Sequence, residues 1–226
     1  MKMKNLKVTV IPIPQVVFFP HTSIPIYVVD GQLVDTIEEI VAKNQLVAVT
    51  RAKTDQLHLN DSFEKICSVG KPVILEKLMD GGLKILVKGN SKAKLTQAIQ
   101  HLPFPIFEAE FLEDRVDGTR DYLDEKVERL KTILNSWFVE NIPDSDERKA
   151  FEMTLLSTQH YIDYIATFLI KDLEIKQMLL ENDSLYERIQ ILDSLLPESC
   201  PFSQNETVVR ALKDFEQLEN FDYIAH

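Results

Sequence analysis

The residues best suited to chemistry are five histidines, two cysteines and one adjacent serine–lysine pair. His21, His58, His101, His160 and His226 stand apart in the sequence, and none belongs to an H-E-x-x-H helix that would set two imidazoles one turn apart for zinc. His160 and Asp163 are three residues apart, a spacing that on a helix more often gives a surface pair than a catalytic one. Ser91-Lys92 sets a hydroxyl beside an amine, but sequence neighbours do not present these groups to one another as a nucleophile and its base require. No G-x-S-x-G elbow occurs, and no G-x-x-x-x-G-K-[ST] loop is present to cradle phosphates. Cys67 and Cys200 lack metal-ligand spacing. They read as free thiols of a cytoplasmic protein, with a single disulfide as the alternative. The acceptor patterns at Asn60, Asn182 and Asn205 would matter only on a secreted chain, and no apolar leader follows the basic residues 1–6. The expectation is therefore no catalytic residue, no metal ligand and no cofactor.

What stands out instead is an apolar, proline-punctuated stretch, IPIPQVVFFPHTSIPIYVV, over residues 11–29. Strand-like ends at 8–13 and 24–29 enclose a loop marked by Pro14, Pro20 and Pro25. Proline fixes φ and removes a backbone donor, so the run Val16-Val17-Phe18-Phe19 suits neither a helix nor a central strand. An apolar loop must pack under the sheet or remain as an exposed sticky patch. Val16, Val17, Phe18, Phe19, His21 and Ile24 are the candidate protein-binding surface. Adjacent side chains of an extended loop point to opposite sides. One of Phe18 and Phe19 is accordingly expected in the core and the other at the surface.

Charge narrows the partner. Residues 1–112 carry 13 Lys and Arg against 11 Asp and Glu, and the remainder carry 12 against 25. An acidic second half repels nucleic acid phosphates, and the first half has no basic excess to bind them. No apolar run approaches the roughly 20 residues of a membrane span. A hydrophobic fraction of 45% with 27% charged residues is that of an ordinary globular chain.

The elements that must position the stretch follow from periodicity. Strands are expected at 8–14, 24–29 and 46–50, with a helix capped by Asp30 and bearing Leu33, Ile37, Ile40 and Val41 between the last two. Residues 54–62 read as a loop. A β-rich segment at 66–78, with a bulge or break near Gly70 and Pro72, leads through the Asp80-Gly81-Gly82 turn to a partner strand at 83–87. Gly89 suggests a bend before a further strand at 93–99, and 107–112 alternates as a half-buried strand. The period then changes. Leu123, Val127, Leu130, Leu134 and Trp137 form one seam of a helix over 119–139. Four shorter helices follow, opened by Asp144, near Tyr161, and by Asp172 and Ser184. The expected fold class is α+β: a mostly antiparallel β domain with one helix over 1–115, a helical bundle over 116–198, and a linker with a helical tail over 199–226.

The order of these motifs resembles the LON domain, the N-terminal substrate-binding domain of Lon proteases. Ile11-Pro12-Ile13, then Val16-Val17-Phe18-Phe19-Pro20, then Ile24-Pro25-Ile26-Tyr27-Val28 match the family's opening strand, loop and second strand. Val69-Gly70, Asp80-Gly81-Gly82 and Ile85-Leu86-Val87-Lys88-Gly89 fall where its later strands lie. The match runs over about residues 8–196. Gln15 stands where family members often carry a basic residue. The resemblance implies a pseudo-barrel of the kind seen in pseudouridine-synthase-associated folds, a helical subdomain, and recognition of protein substrates. With no P-loop and the sequence stopping at His226, a stand-alone form without ATPase and Ser-Lys peptidase modules is expected.

The functional expectation is a non-enzymatic, cytoplasmic module that binds unfolded or exposed apolar polypeptide segments, as adaptor or regulator of proteolysis, in contact with a protease or chaperone. It is expected to bind neither nucleic acid nor membrane, as a monomer or weak dimer. The alternatives are an uncharacterised hydrolase, which needs a constellation the sequence does not display, and an RNA-binding module by fold analogy.

Overall fold

The computed structural model describes residues 6–53, 62–117 and 120–196, with the backbone alone for 120–123. The expected tail over 199–226 and most of the expected 54–62 loop lie outside these residues. Six strands and six helices are described: β1 (Leu6–Pro14), β2 (Ser23–Val28), α1 (Gly31–Ala42), β3 (Val47–Ala52), β4 (Ile66–Lys77), β5 (Leu83–Gln100), β6 (Ile106–Leu112), α2 (Arg120–Asn141), α3 (Ser145–Thr154), α4 (Thr158–Phe168), α5 (Leu173–Glu181) and α6 (Leu185–Leu195). The chain divides into two compact units. The first holds Met1–Glu113 with Asp172–Glu181, and the second holds Asp114–Lys171 with the residues from Asn182 onward.

In the first unit the strand order is β2-β5-β4-β3-β1-β6, and β5 also pairs with β6. That extra pairing closes β5, β4, β3, β1 and β6 into a ring. β2 hangs on β5 and, among the described residues, keeps one free edge. β1 and β3 run parallel, and the other pairs are antiparallel. Strand alternation sends neighbouring residues to opposite faces, and both faces are covered. Val47 and Val49 join a core with Ile26, Val28, Leu83 and Ile85, to which α1 adds Val34, Ile37 and Ile40. Ala48, between them, joins a second core with Val8, Val10, Cys67, Leu95 and Phe107. α1 starts where Asp30 accepts the Leu33 N–H at 3.0 Å, and its end is followed by Asn44 at φ 52°. The β4–β5 turn has Gly81 at φ 86°, a value that glycine tolerates without strain.

Two expectations change here. β5 is one 18-residue strand rather than two. Gly89 does not end it: a Cβ there would stand 2.8 Å from the Phe19 carbonyl and 3.1 Å from the Phe18 ring. The missing side chain is a place of close approach for the apolar loop, and the strand runs through it. α5 also leaves the expected bundle. It groups with the sheet, where Gln177 donates to the Ile66 carbonyl at 3.2 Å, and Arg51 donates to the Leu173 carbonyl at 3.3 Å and pairs with Glu174.

The second unit is helical. Val127, Leu130, Leu134 and Trp137 of α2 are buried, and Trp137 stacks on Phe168 at 5.4 Å. Asp144 caps α3 by accepting the Asp146 and Glu147 N–H groups, and Ser184 caps α6 through the Glu187 N–H. Arg188, buried on α6, pairs with Asp163 on α4 and with Asp114, the latter at 2.8 Å.

Candidate functional site: an apolar seam beside the barrel

Proline placement explains why the sheet stays open at one point. β6 covers β1 along Leu6 to Thr9, and the Val10 N–H reaches the Pro105 carbonyl at 2.9 Å. Beyond Val10 the groups facing this side belong to Pro12 and Pro14, which bring carbonyls and no N–H. Across the gap lies β2. Gly89 donates its N–H to the Thr22 carbonyl at 2.8 Å. Alternation then turns Ile24, Ile26 and Val28 toward β5, and turns the backbone groups of Ser23, Pro25 and Tyr27 to the free edge. Pro25 thus occupies a position that a proline can hold in a paired strand. Two edges that share three prolines cannot complete a ladder with each other, and a seam remains.

The seam opens into a cavity of about 510 Å³, within the range of roughly 300–1,000 Å³ common for ligand sites. Its lining comes from β1 and the start of the following loop (Val10, Pro12, Ile13, Val16), from residues 24–29, from Leu33 of α1, and from His101, Pro103, Phe104 and Pro105. Asp30 also borders it, with its carboxylate engaged in capping α1. Tyr27 is 63% exposed, Val29 73% and Leu102 61%, so the seam continues into an apolar rim.

The expected surface residues divide. Val16 and Ile24 line the cavity. Val17, Phe18 and Phe19 are buried, Phe18 at 3% exposure and Phe19 at 0%. The expectation of one outward phenylalanine is therefore corrected: the loop is covered on both faces. Ser68 Oγ donates to the Phe18 carbonyl at 2.6 Å and Thr22 Oγ1 to the Phe19 carbonyl at 2.8 Å. The loop is bracketed by Gln15 at φ 57° and His21 at φ 60°, two non-glycine residues in the left-handed region. His21 is half-buried, with its N–H on the Gly89 carbonyl, and is not among the residues lining the cavity. Sequence reasoning missed residues 101–105. Their signal was available, since His101-Leu102-Pro103-Phe104-Pro105 repeats the apolar, proline-punctuated character of the first stretch.

The other chemical candidates have structural partners. His160 Nδ1 lies 2.7 Å from Ser157 Oγ, which caps α4. Asp163 is buried against Arg188 rather than displayed at the surface. Ser91 and Lys92 are successive strand residues, the first half-buried and the second buried. Burial pushes the Cys67 thiol up from 9.0 to about 12, which suppresses the reactive thiolate. Among the described residues no group of three His, Cys, Asp or Glu side chains could hold a metal ion, and no helix is long and apolar enough to cross a membrane.

A small barrel with an apolar, open-edged seam and a helical unit make this an α+β protein with a candidate binding cavity. Comparison makes this specific. Residues 7–198 match the model of the ATP-dependent protease La (LON) substrate-binding domain, and the chain belongs to that family. It is 24% identical over 220 residues to Lon protease 1 of Syntrophobacter fumaroxidans, covering 95% of this chain and 27% of that protein. It is 26% identical over 216 residues to the Lon protease of Escherichia coli strain K12, covering 92% of this chain. The chain thus spans about a quarter of these relatives' length. In fold it is similar to a Lon N-terminal domain protein from Xanthomonas campestris, at TM-score 0.61 and 14% identity over 84% of this chain and 99% of that one. It is also similar to the N-terminal domain of Mycobacterium avium complex Lon protease, at TM-score 0.55 and 18% identity over 83% and 96%.

Proposed function

We propose that this chain is a non-catalytic recognition module that captures unfolded or exposed apolar polypeptide segments, acting in the cytoplasm as adaptor or regulator of proteolysis. The observation that carries this reading is the seam: an apolar cavity of about 510 Å³ with a strand edge beside it. A folded partner hides its apolar side chains, whereas an unfolded chain presents them on an extended backbone. Membership in a substrate-binding family supports the same reading. The charge of the chain argues against RNA as its ligand, with a formal net charge of −11.

The test is fluorescence anisotropy with a labelled, permanently unfolded casein fragment, comparing the parent chain with Ile24→Asp and Leu33→Asp. Binding by the parent, weakened at least tenfold by a charge in the seam, is the expected result. Equal binding by folded variants and parent would move the site elsewhere. Hydrolysis of the fragment by repurified chain would favour the hydrolase reading, and tighter binding of single-stranded RNA than of casein the nucleic-acid reading.

A further inference from the structure

We propose that the captured segment binds as an added β-strand, hydrogen-bonded along the free edge of β2 through Ser23, Pro25 and Tyr27. This rests on the capture reading and adds to it a backbone mechanism and a ligand shape. Among the described residues β2 pairs with β5 on one side and ends the sheet on the other. The Gly89 N–H on the Thr22 carbonyl sets the phase of the ladder, and Pro25 fits that phase because its missing N–H falls on the outer side. The outer edge then presents N–H and C=O groups from Ser23 and Tyr27, and a carbonyl from Pro25.

The opposite wall, β1 past Val10, presents the carbonyls of Pro12 and Pro14 without donors. The β2 edge offers both N–H and C=O groups, and the β1 wall offers carbonyls alone. The occupant complementary to this edge is an extended backbone, whose alternate residues bring an N–H for the outward carbonyls and a C=O for the outward N–H groups of Ser23 and Tyr27. A compact apolar ligand fills the cavity and leaves the edge unmatched. An unpaired edge is a standing template for strand addition, and main-chain pairing with pockets for alternate side chains is a known mode of peptide recognition. Side chains at every second position of the ligand would enter the cavity between Ile13 and Ile24, and those between would face solvent.

This ligand is sequence-tolerant and conformation-selective. It must have several consecutive residues free of helix or sheet, with apolar groups at alternate positions. Proline in the middle of the segment would be rejected at donor positions. Such selectivity distinguishes an unfolded chain from a folded one without reading a particular sequence.

The probe is a fluorescein-labelled ten-residue peptide with valine and isoleucine at alternate positions, serine and threonine between them, and a lysine at each end. Two further copies carry N-methyl groups, one on each alternate set of amides. The expected result is that one methylated set binds at least tenfold more weakly while the other stays within about twofold, since one set of amides faces β2 and the other faces away. On the protein, Tyr27→Pro removes one outward N–H and should lower affinity about five- to tenfold relative to Tyr27→Ala, which removes the side chain and keeps the donor. If the unmethylated peptide binds and both methylated copies bind equally well, strand addition is overturned and capture stands. If no unmethylated peptide binds, capture and strand addition fall together. If sedimentation shows a dimer that Tyr27→Pro dissolves and the peptide does not compete, the edge belongs to a second copy and the proposal is overturned. A Tyr27→Pro chain that does not fold leaves the decision with the methylated peptides.

Discussion

Replacing Phe19 by alanine removes a ring that is fully buried between the barrel and its own loop. A buried phenylalanine withdraws about 150 Å² or more from water, which at about 25 cal/mol per Å² approaches 4 kcal/mol. Alanine keeps the share of the Cβ, but the vacated space adds a cavity cost, and Phe→Ala in a core costs about 3–5 kcal/mol in all. The loop cannot collapse to fill the space. Its carbonyls at Phe18 and Phe19 are fixed by Ser68 Oγ and Thr22 Oγ1, and Gly89 already lies against both residues. The upper half of the range is therefore expected. Urea unfolding followed by far-UV circular dichroism measures it, read from the midpoint at unchanged slope, with Trp137 fluorescence reporting the helical unit separately. Phe18→Ala should fall in the same range. Because Phe19 is absent from the cavity lining, peptide affinity per folded Phe19→Ala molecule should not change. A loss below about 1 kcal/mol for either variant would refute the covered-loop account.

Asp163→Ala leaves the Arg188 guanidinium buried with Asp114 as its remaining carboxylate, and should cost about 3–5 kcal/mol of helical-unit stability by the same unfolding assay. In a Cys200→Ser background Cys67 should resist a disulfide reagent at pH 8 and react at once in guanidinium. Its thiol is raised from 9.0 to about 12 in the fold, so above pH 9 the unfolded chain loses the proton first. The stability it contributes is whole below pH 9 and falls as pH rises toward 12, a contribution that Cys67→Ala should remove from melting curves taken across that window, leaving that of Lys176, whose ammonium pKa is lowered by burial to about 8. We propose that the junction at residues 114–118 also separates two folding units. Brief proteolysis should cut there before it cuts the centre of α2, and early cuts confined to α2 would contradict it.

The barrel was legible because its strands carry strong local signals: alternation over 107–112, the Asp80-Gly81-Gly82 turn, and the Asp30 cap all lie where the sequence placed them. What was not legible depended on contacts distant in sequence. Gly89 read as a bend because glycine is a local breaker, whereas its role is to admit residues 18 and 19 from about 70 positions away. α5 has the period of a bundle helix, and no local feature reveals that Gln177 and Glu174 meet strands β4 and β3. Half of the site followed the same pattern. Pro12, Val16, Ile24 and Pro25 were visible as an apolar, donor-poor stretch. The 101–105 wall required the pairing of β1 with β6 to bring it alongside.

The most direct measurement is methyl chemical-shift mapping of isotope-labelled chain titrated with the alternating ten-residue peptide. The account predicts saturable shifts concentrated on Ile13, Val16, Ile24, Val29 and Leu33, all bordering one cavity. Shifts centred instead on Met153 and Leu156, the exposed apolar residues at the end of α3, or no shifts at saturating peptide, would contradict it.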